Sequence, residues 1–209
     1  DGWTWENATL AHPSGLHINW PNMGIRTGGR FRMPAKRQIE QRQKALQSLD
    51  KMIEDGRAYS KLRQTKTRKA EEYHNEDLRF ESLLEYVNGN LPIYVHANEV
   101  RQIEAAVNWS KRHVLKIIIV GGRDAWRTTK LLKDSKVPVI YESVTSLPSR
   151  RFEDYDQAYK SPALLYQAGV QFCIASSGSA GGAYRVRNLP NHAAMAAAYG
   201  LPKDIALRS

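Results

Sequence analysis

From residue 89 onward the chain alternates between two hydrophobic rhythms. Leu91-Pro92-Ile93-Tyr94-Val95, Leu115-Lys116-Ile117-Ile118-Ile119-Val120, Val137-Pro138-Val139-Ile140-Tyr141 and Val170–Ala175 are short apolar runs with the length and β-branched content of buried strands. Between them the spacing turns helical. Val100, Ile103 and Val107 fall on one stripe of Glu99–Arg112, with Asn98 as the expected N-cap, and further helices are predicted over Asp124–Lys133 and Pro162–Ala168. Pro190 opens an alanine-rich helix that ends at Gly200, and Pro202 begins another. Four strand–helix units in a row predict an α/β fold with parallel strands and right-handed crossovers.

The first 88 residues read differently. Residues 1–34 are punctuated by glycine and proline, yet Trp3, Trp5, Leu16, Ile18 and Trp20 need burial. Leu16-His17-Ile18-Asn19-Trp20 alternates and fits a short strand. A long helix is predicted from Ala35 to about Lys69, with Leu46, Leu49, Ile53 and Gly56 on one stripe. Asp77 caps a second helix that stops at Asn88-Gly89. The expected organisation is an irregular segment 1–34, a helical section 35–88 and four strand–helix units over 89–209, within one structural domain. Four strands alone leave two open edges, so pairing with a second copy or with a complementary portion is expected.

Composition narrows the classes. Hydrophobic content of 42% with 25% charged residues is ordinary for a globular protein. The net charge of +10 admits an anionic partner without naming one. The densest basic run, Lys61 to Lys69, lacks interleaved aromatics, and no helix-turn-helix, zinc-finger or RNA-recognition signature is present, which argues against nucleic acid. No apolar run approaches the ~20 residues of a membrane span and no signal segment is seen, so a soluble protein of unassigned compartment is expected. A start at Asp1 rather than Met suggests a trimmed product. The single cysteine, Cys173, excludes an internal disulfide and reads as a core thiol.

Candidate chemistry gathers where strands end, since parallel α/β folds bind ligands at the carboxyl ends of their strands. His96 closes the first run and is the leading candidate. Gly121-Gly122-Arg123-Asp124 is a strand–turn–helix junction whose backbone N–H groups, with Arg123 beside them, suit a small anion. Ser176-Ser177-Gly178-Ser179-Ala180-Gly181-Gly182 is a flexible loop without the lysine of a phosphate-binding motif, and Asn98 and Glu142 stand at the other strand ends. These loops share one face, which favours a small polar or anionic ligand. His12 and His17 lie an odd number of residues apart and point to opposite sides of an extended segment, which weakens a paired-ligand reading.

The strand ending in His96-Ala97-Asn98, the strand ending in Gly121-Gly122-Arg123-Asp124-Ala125-Trp126 and the closing Asn188-Leu189-Pro190…Ala193-Ala194-Met195…Tyr199-Gly200-Leu201-Pro202 resemble the metal-dependent amidohydrolase superfamily, in its imidazolonepropionase-like branch. The resemblance runs from about Arg57 to Ser209 and more thinly over Gly2–Ile25. It implies a (β/α)8 barrel that hydrolyses carbon–nitrogen bonds, often of cyclic amides, with one or two zinc-class ions, of which this chain carries the half from the fifth strand to the eighth. His96 matches the fifth-strand metal ligand. The sixth-strand histidine falls on Gly121, and the metal-binding aspartate of the eighth strand falls on Ser176-Ser177, with Ser177 the closer match. Serine is too weakly basic to replace a carboxylate. A catalytic zinc takes about three protein ligands, and without it a water keeps a pKa of about 15 rather than about 7. The resemblance thus implies a hydrolase of non-peptide C–N bonds, if active, with a degenerate or lost metal centre. His12, His17, Glu142 and His192 are the other donors at hand, with no supporting spacing. The alternative is a non-enzymatic module that binds small anions through its glycine-rich loops.

Overall fold

The structure, a computed structural model, describes residues 4, 7, 15–28, 33–64, 76–142, 144–178, 182 and 184–209. Five strands form one parallel sheet in the order β1-β2-β3-β4-β5: β1 (Leu16–Asn19), β2 (Ile93–Ala97), β3 (Ile117–Gly121), β4 (Val139–Tyr141) and β5 (Phe172–Ile174). The four strands expected from the second half are joined by the short N-terminal one. It pairs in register with β2 and is extended by a bond from the Trp20 N–H to the His96 carbonyl, 3.1 Å. A sheet whose strands follow chain order through right-handed crossovers carries all its helices on one face.

Burial follows that geometry. Ile93, Val95, Ala97, Ile117, Ile119, Val139, Tyr141 and Ile174 are buried in the core. The intervening Tyr94, His96, Ile118, Ile140 and Cys173 on the other face are only half-buried. Cys173 is therefore not a fully enclosed core thiol but stands on the open face, where burial still pushes its pKa up.

Helix α1 (Ala35–Gln64) packs through Ile53, Gly56 and Ser60, with Leu46 and Leu49 partly buried against the core. A Cβ at Gly56 would lie 3.1 Å from Val87 Cγ1, so the glycine lets two helices approach closely. Lys66, Arg68 and Lys69 lie outside the described residues, as do Trp3, Trp5 and His12. The helix expected after Asp77 is two short ones, α2 (Leu78–Glu81) and α3 (Leu84–Val87), and Asp77 does cap the first, accepting from the Arg79 N–H at 3.0 Å.

Helix α4 (Val100–Arg112) starts one residue later than its expected cap allows. Glu99, not Asn98, is the N-cap, in a capping box with Gln102 whose Oε1 accepts the Glu99 N–H at 3.1 Å. Asp50 of α1 accepts from Trp109 Nε1 at 3.0 Å and lies 2.8 Å from His113 Nε2, which ties α1 to the end of α4.

A 3-10 turn (Ala125–Arg127) precedes α5 (Thr129–Asp134) where one helix was expected. Helix α6 (Gln157–Gln167) begins five residues before Pro162, its expected start. Proline removes the N–H that would bond the carbonyl four residues earlier. That carbonyl, Ala158 O, accepts instead from the Tyr141 hydroxyl at 3.2 Å, so the helix runs through its proline without an orphaned acceptor. A second 3-10 turn (Val186–Asn188) leads into α7 (Leu189–Ala198), and α8 (Lys203–Arg208) closes the chain as described. Among the described residues no helix is long and apolar enough to cross a membrane.

Candidate functional site

Parallel strands bring their carboxyl ends to one rim, so the residues singled out in the sequence share an edge of the sheet. They divide into three groups there. His96 lies on the open face in a register row with Asn19 of β1 and Val120 of β3. Its Nε2 is 2.9 Å from His17 Nδ1, one nitrogen donating and the other accepting. The His17 ring in turn stacks on its register partner Tyr94, centroids 4.9 Å apart and planes 10° from parallel. Burial holds the His96 pKa below its ordinary value, and the charge of His17 lowers it further. Alternation along Leu16–Asn19 placed His17 on the polar face of its strand. That this face meets a histidine 79 residues away was not readable from spacing.

The second group is the corner after β3. Gly121 and Gly122 have φ of +91° and +59°, where a side chain is strained. A Cβ at Gly121 would lie 2.5 Å from Asn98 Oδ1, and one at Gly122 would lie 2.7 Å from Val139 Cγ1. The three successive N–H groups of the junction are engaged within the protein. Gly122 donates to Ala97 O at 3.0 Å, Arg123 to Asn98 Oδ1 at 3.3 Å and Asp124 to Asn98 O at 2.9 Å. Asn98, Gly121, Gly122 and Arg123 thus stitch β2 to β3, and these donors are not turned to a ligand.

The same corner holds a buried ion pair that sequence reasoning did not single out. The Asp124 side chain, 2% exposed, is gripped by Arg150, whose Nη1 donates to Oδ1 at 3.0 Å and whose Nη2 donates to Oδ2. Arg150 also pairs with Glu153, and the Val100 N–H donates to Asp124 Oδ2 at 3.3 Å. These bonds hold Arg150 in its charged form and fasten the long loop after β4 to the end of β3 and the start of α4. Nothing local in the sequence distinguishes Asp124 or Arg150 from the other charged residues nearby, so the pairing of residues 26 apart is a product of the fold.

The third group is a cleft of about 560 Å³ at the ends of β4 and β5. Glu142, Ser176 and Ser177 line it, as expected of strand-end residues, together with Thr145, Arg185, Asn188 and His192. Burial raises the Glu142 pKa, opposed by a hydrogen bond from the Gly178 backbone. Burial lowers that of His192, whose Nε2 lies 3.3 Å from Thr145 Oγ1. The Ser176 hydroxyl donates to Gly182 O at 3.2 Å. Glu142 follows β4, two strands from His96, a lateral offset of about 10 Å at ordinary strand spacing.

These positions test the fit of a zinc-class ion. His17 and His96 offer two nitrogens, already bonded to each other, where a catalytic zinc takes about three protein ligands. Among the described residues no group of three or more histidine, cysteine, aspartate or glutamate side chains is gathered for a metal. Among the described residues the donor set falls short of the centre that the resemblance implies.

No protein-family model matches the chain, and no curated protein matches it. A solved structure does: an amidohydrolase from Thermotoga maritima MSB8, with a TM-score of 0.76 at 18% identity, over 99% of this chain and 52% of that one. The fold resembles half of an amidohydrolase barrel. The chain spans about half the length of that neighbour. Identity this low speaks for the fold alone; the parallel strand–helix order was read from the apolar runs, and the half-barrel is what the sequence resemblance implies.

Proposed function

We propose that this chain is an amidohydrolase-like protein of the imidazolonepropionase-like branch whose metal centre is degenerate. The observation that carries the reading is the backbone at Gly121. Its φ of +91° and its closeness to Asn98 disfavour any side chain at the place that the resemblance gives to a histidine ligand. Ser177 at the eighth-strand place offers a hydroxyl where a carboxylate base is needed. His96 then serves as a hydrogen-bonded partner of His17, whose ring stacks on Tyr94, rather than as one ligand of three.

Elemental analysis of the purified protein after dialysis against zinc, manganese and iron tests this. Metal well below one equivalent, unchanged in His96→Ala, is the expected result. One equivalent of metal that disappears in His96→Ala would restore a metal-dependent hydrolase of carbon–nitrogen bonds. Among the described residues no further strand flanks β1 or β5, although the Ile174 N–H donates to Ser209 O on the outer side of β5; this supports a second proposal, that a second copy or a complementary half-barrel closes the sheet. A monomer by native mass spectrometry at micromolar concentration, without a co-purifying fragment, would count against closure.

A further inference from the structure

We infer that the cleft at the ends of β4 and β5 binds a small zwitterion, with a protonated amine at one end and a carboxylate at the other, of the size of an amino acid or dipeptide. The charges in its wall lead to this class. Among the described residues of its lining, Glu142 and Arg185 are the charged ones and His192 is the other titratable one. The remaining side chains used here, Thr145, Ser176 and Asn188, are neutral hydrogen-bonding groups.

Glu142 is half-buried, and among the described residues it forms no ion pair. Its backbone is fixed by a bond from its N–H to Gly121 O at 3.3 Å, so the carboxylate is held at the strand end. The Gly178 backbone donates a hydrogen bond to this carboxylate, but a half-buried carboxylate without a counter-ion still carries a desolvation cost that a cation in the cleft would offset. Arg185 meets no carboxylate among the described residues either; its guanidinium lies over the Tyr184 ring, 5.4 Å from the centroid. The two opposite charges therefore line one cleft without closing on each other. His192 adds an unmet bond: its Nδ1 is buried and has no hydrogen-bond partner among the described residues.

A simple anion entering here would be drawn to Arg185 but would face the Glu142 carboxylate. A simple cation would meet the reverse. Only a ligand that carries both signs satisfies both walls, each through a charge-assisted hydrogen bond. The volume of about 560 Å³ lies within the range of small-molecule sites, roughly 300–1,000 Å³, and leaves room for a side chain beyond the two charged ends. Such a site needs no metal, so its test and the metal analysis above succeed or fail separately.

The test is calorimetric titration of the protein with L-alanine and with L-alanyl-L-alanine, and with the N-acetylated and C-amidated forms of each. At least one uncapped probe is expected to bind, and either cap to weaken it by about tenfold or more. Glu142→Gln, nearly isosteric, should weaken the uncapped probe by about tenfold and abolish discrimination against the acetylated one. Arg185→Gln, at an exposed position, should abolish discrimination against the amidated one. Circular dichroism confirms that each variant is folded. Absence of binding by both uncapped probes up to about 10 mM, equal binding of capped and uncapped forms, or variants that bind and discriminate as the wild type does would each overturn the proposal.

Discussion

Gly121→His is the substitution that returns an imidazole to the place where the resemblance expects a metal ligand, and the structure gives reasons for it to fail. With φ at +91°, a non-glycine residue there costs about 1–3 kcal/mol of backbone strain. Its Cβ would lie 2.5 Å from Asn98 Oδ1, and Asn98 is exposed and can turn aside. Turning forfeits the bond that Asn98 accepts from the Arg123 N–H, about 1 kcal/mol. The sum is a destabilisation of about 2–4 kcal/mol, a large part of the ~5–15 kcal/mol that holds an ordinary domain folded. Urea unfolding reads it as a lowered midpoint with an unchanged slope.

Zinc binding should not follow from Gly121→His. Gly121 sits in the register row of Ala97 and Tyr141, which is the buried, helix-facing side of the sheet, whereas His96 shares its row with Val120. Val120→His would instead set a third imidazole in the row of His96, on the opposite side of β2 from the strand that carries His17, and reach the ligand count of a zinc site. Isothermal titration with zinc should then show about one site for Val120→His and none for Gly121→His. A Gly121→His protein of wild-type stability that binds zinc through His96, with Val120→His inert, would refute the account of both positions.

Three further outcomes follow from the same geometry. Asp124→Asn keeps the shape but leaves Arg150 with Glu153 alone. Because Arg150 is partly exposed, the loss should fall at the low end of the ~3–5 kcal/mol for a broken buried pair, and denaturant titration checks it. Burial holds the Glu142 pKa above its ordinary 4.5, so the folded state binds more protons than the unfolded one. Stability from this group is full below pH 4.5 and is lost as pH rises through the raised value; Glu142→Gln should flatten that fall in a series of urea midpoints. For His96, lowered mainly by burial and secondarily by His17, His17→Asn should move the titration seen by NMR back only part of the way toward 6.5. A full return would place the cause in the charge instead.

The strand runs were legible because parallel strands buried by helices are written as short apolar stretches, and each of the four was found close to its place. Boundaries failed where tertiary contacts overrode local signals. Pro162 marked a helix start in the sequence, but the Tyr141 hydroxyl relieves the carbonyl that proline orphans, so the helix runs through it. Asn98 read as a cap, yet its side chain is spent on the next strand's corner and Glu99 caps the helix.

The same division holds for the site. Residue type and position at strand ends, both local, were enough to single out His96, Glu142, Ser176 and Ser177 as rim residues. Which of them meet, and what they meet, depends on strand order and register, which local periodicity does not encode. Register brought His17 to His96 across 79 residues, fold closure locked Asp124 to Arg150, and the approach of the α7 region added Arg185 and His192 to the cleft. The sequence by itself determined the parallel strand–helix rhythm and the kinds of group at each strand end, because hydrophobic burial is patterned locally. Only the tertiary structure decided which charges are neutralised and which are left facing a cleft, because pairing is settled by neighbours that are distant along the chain.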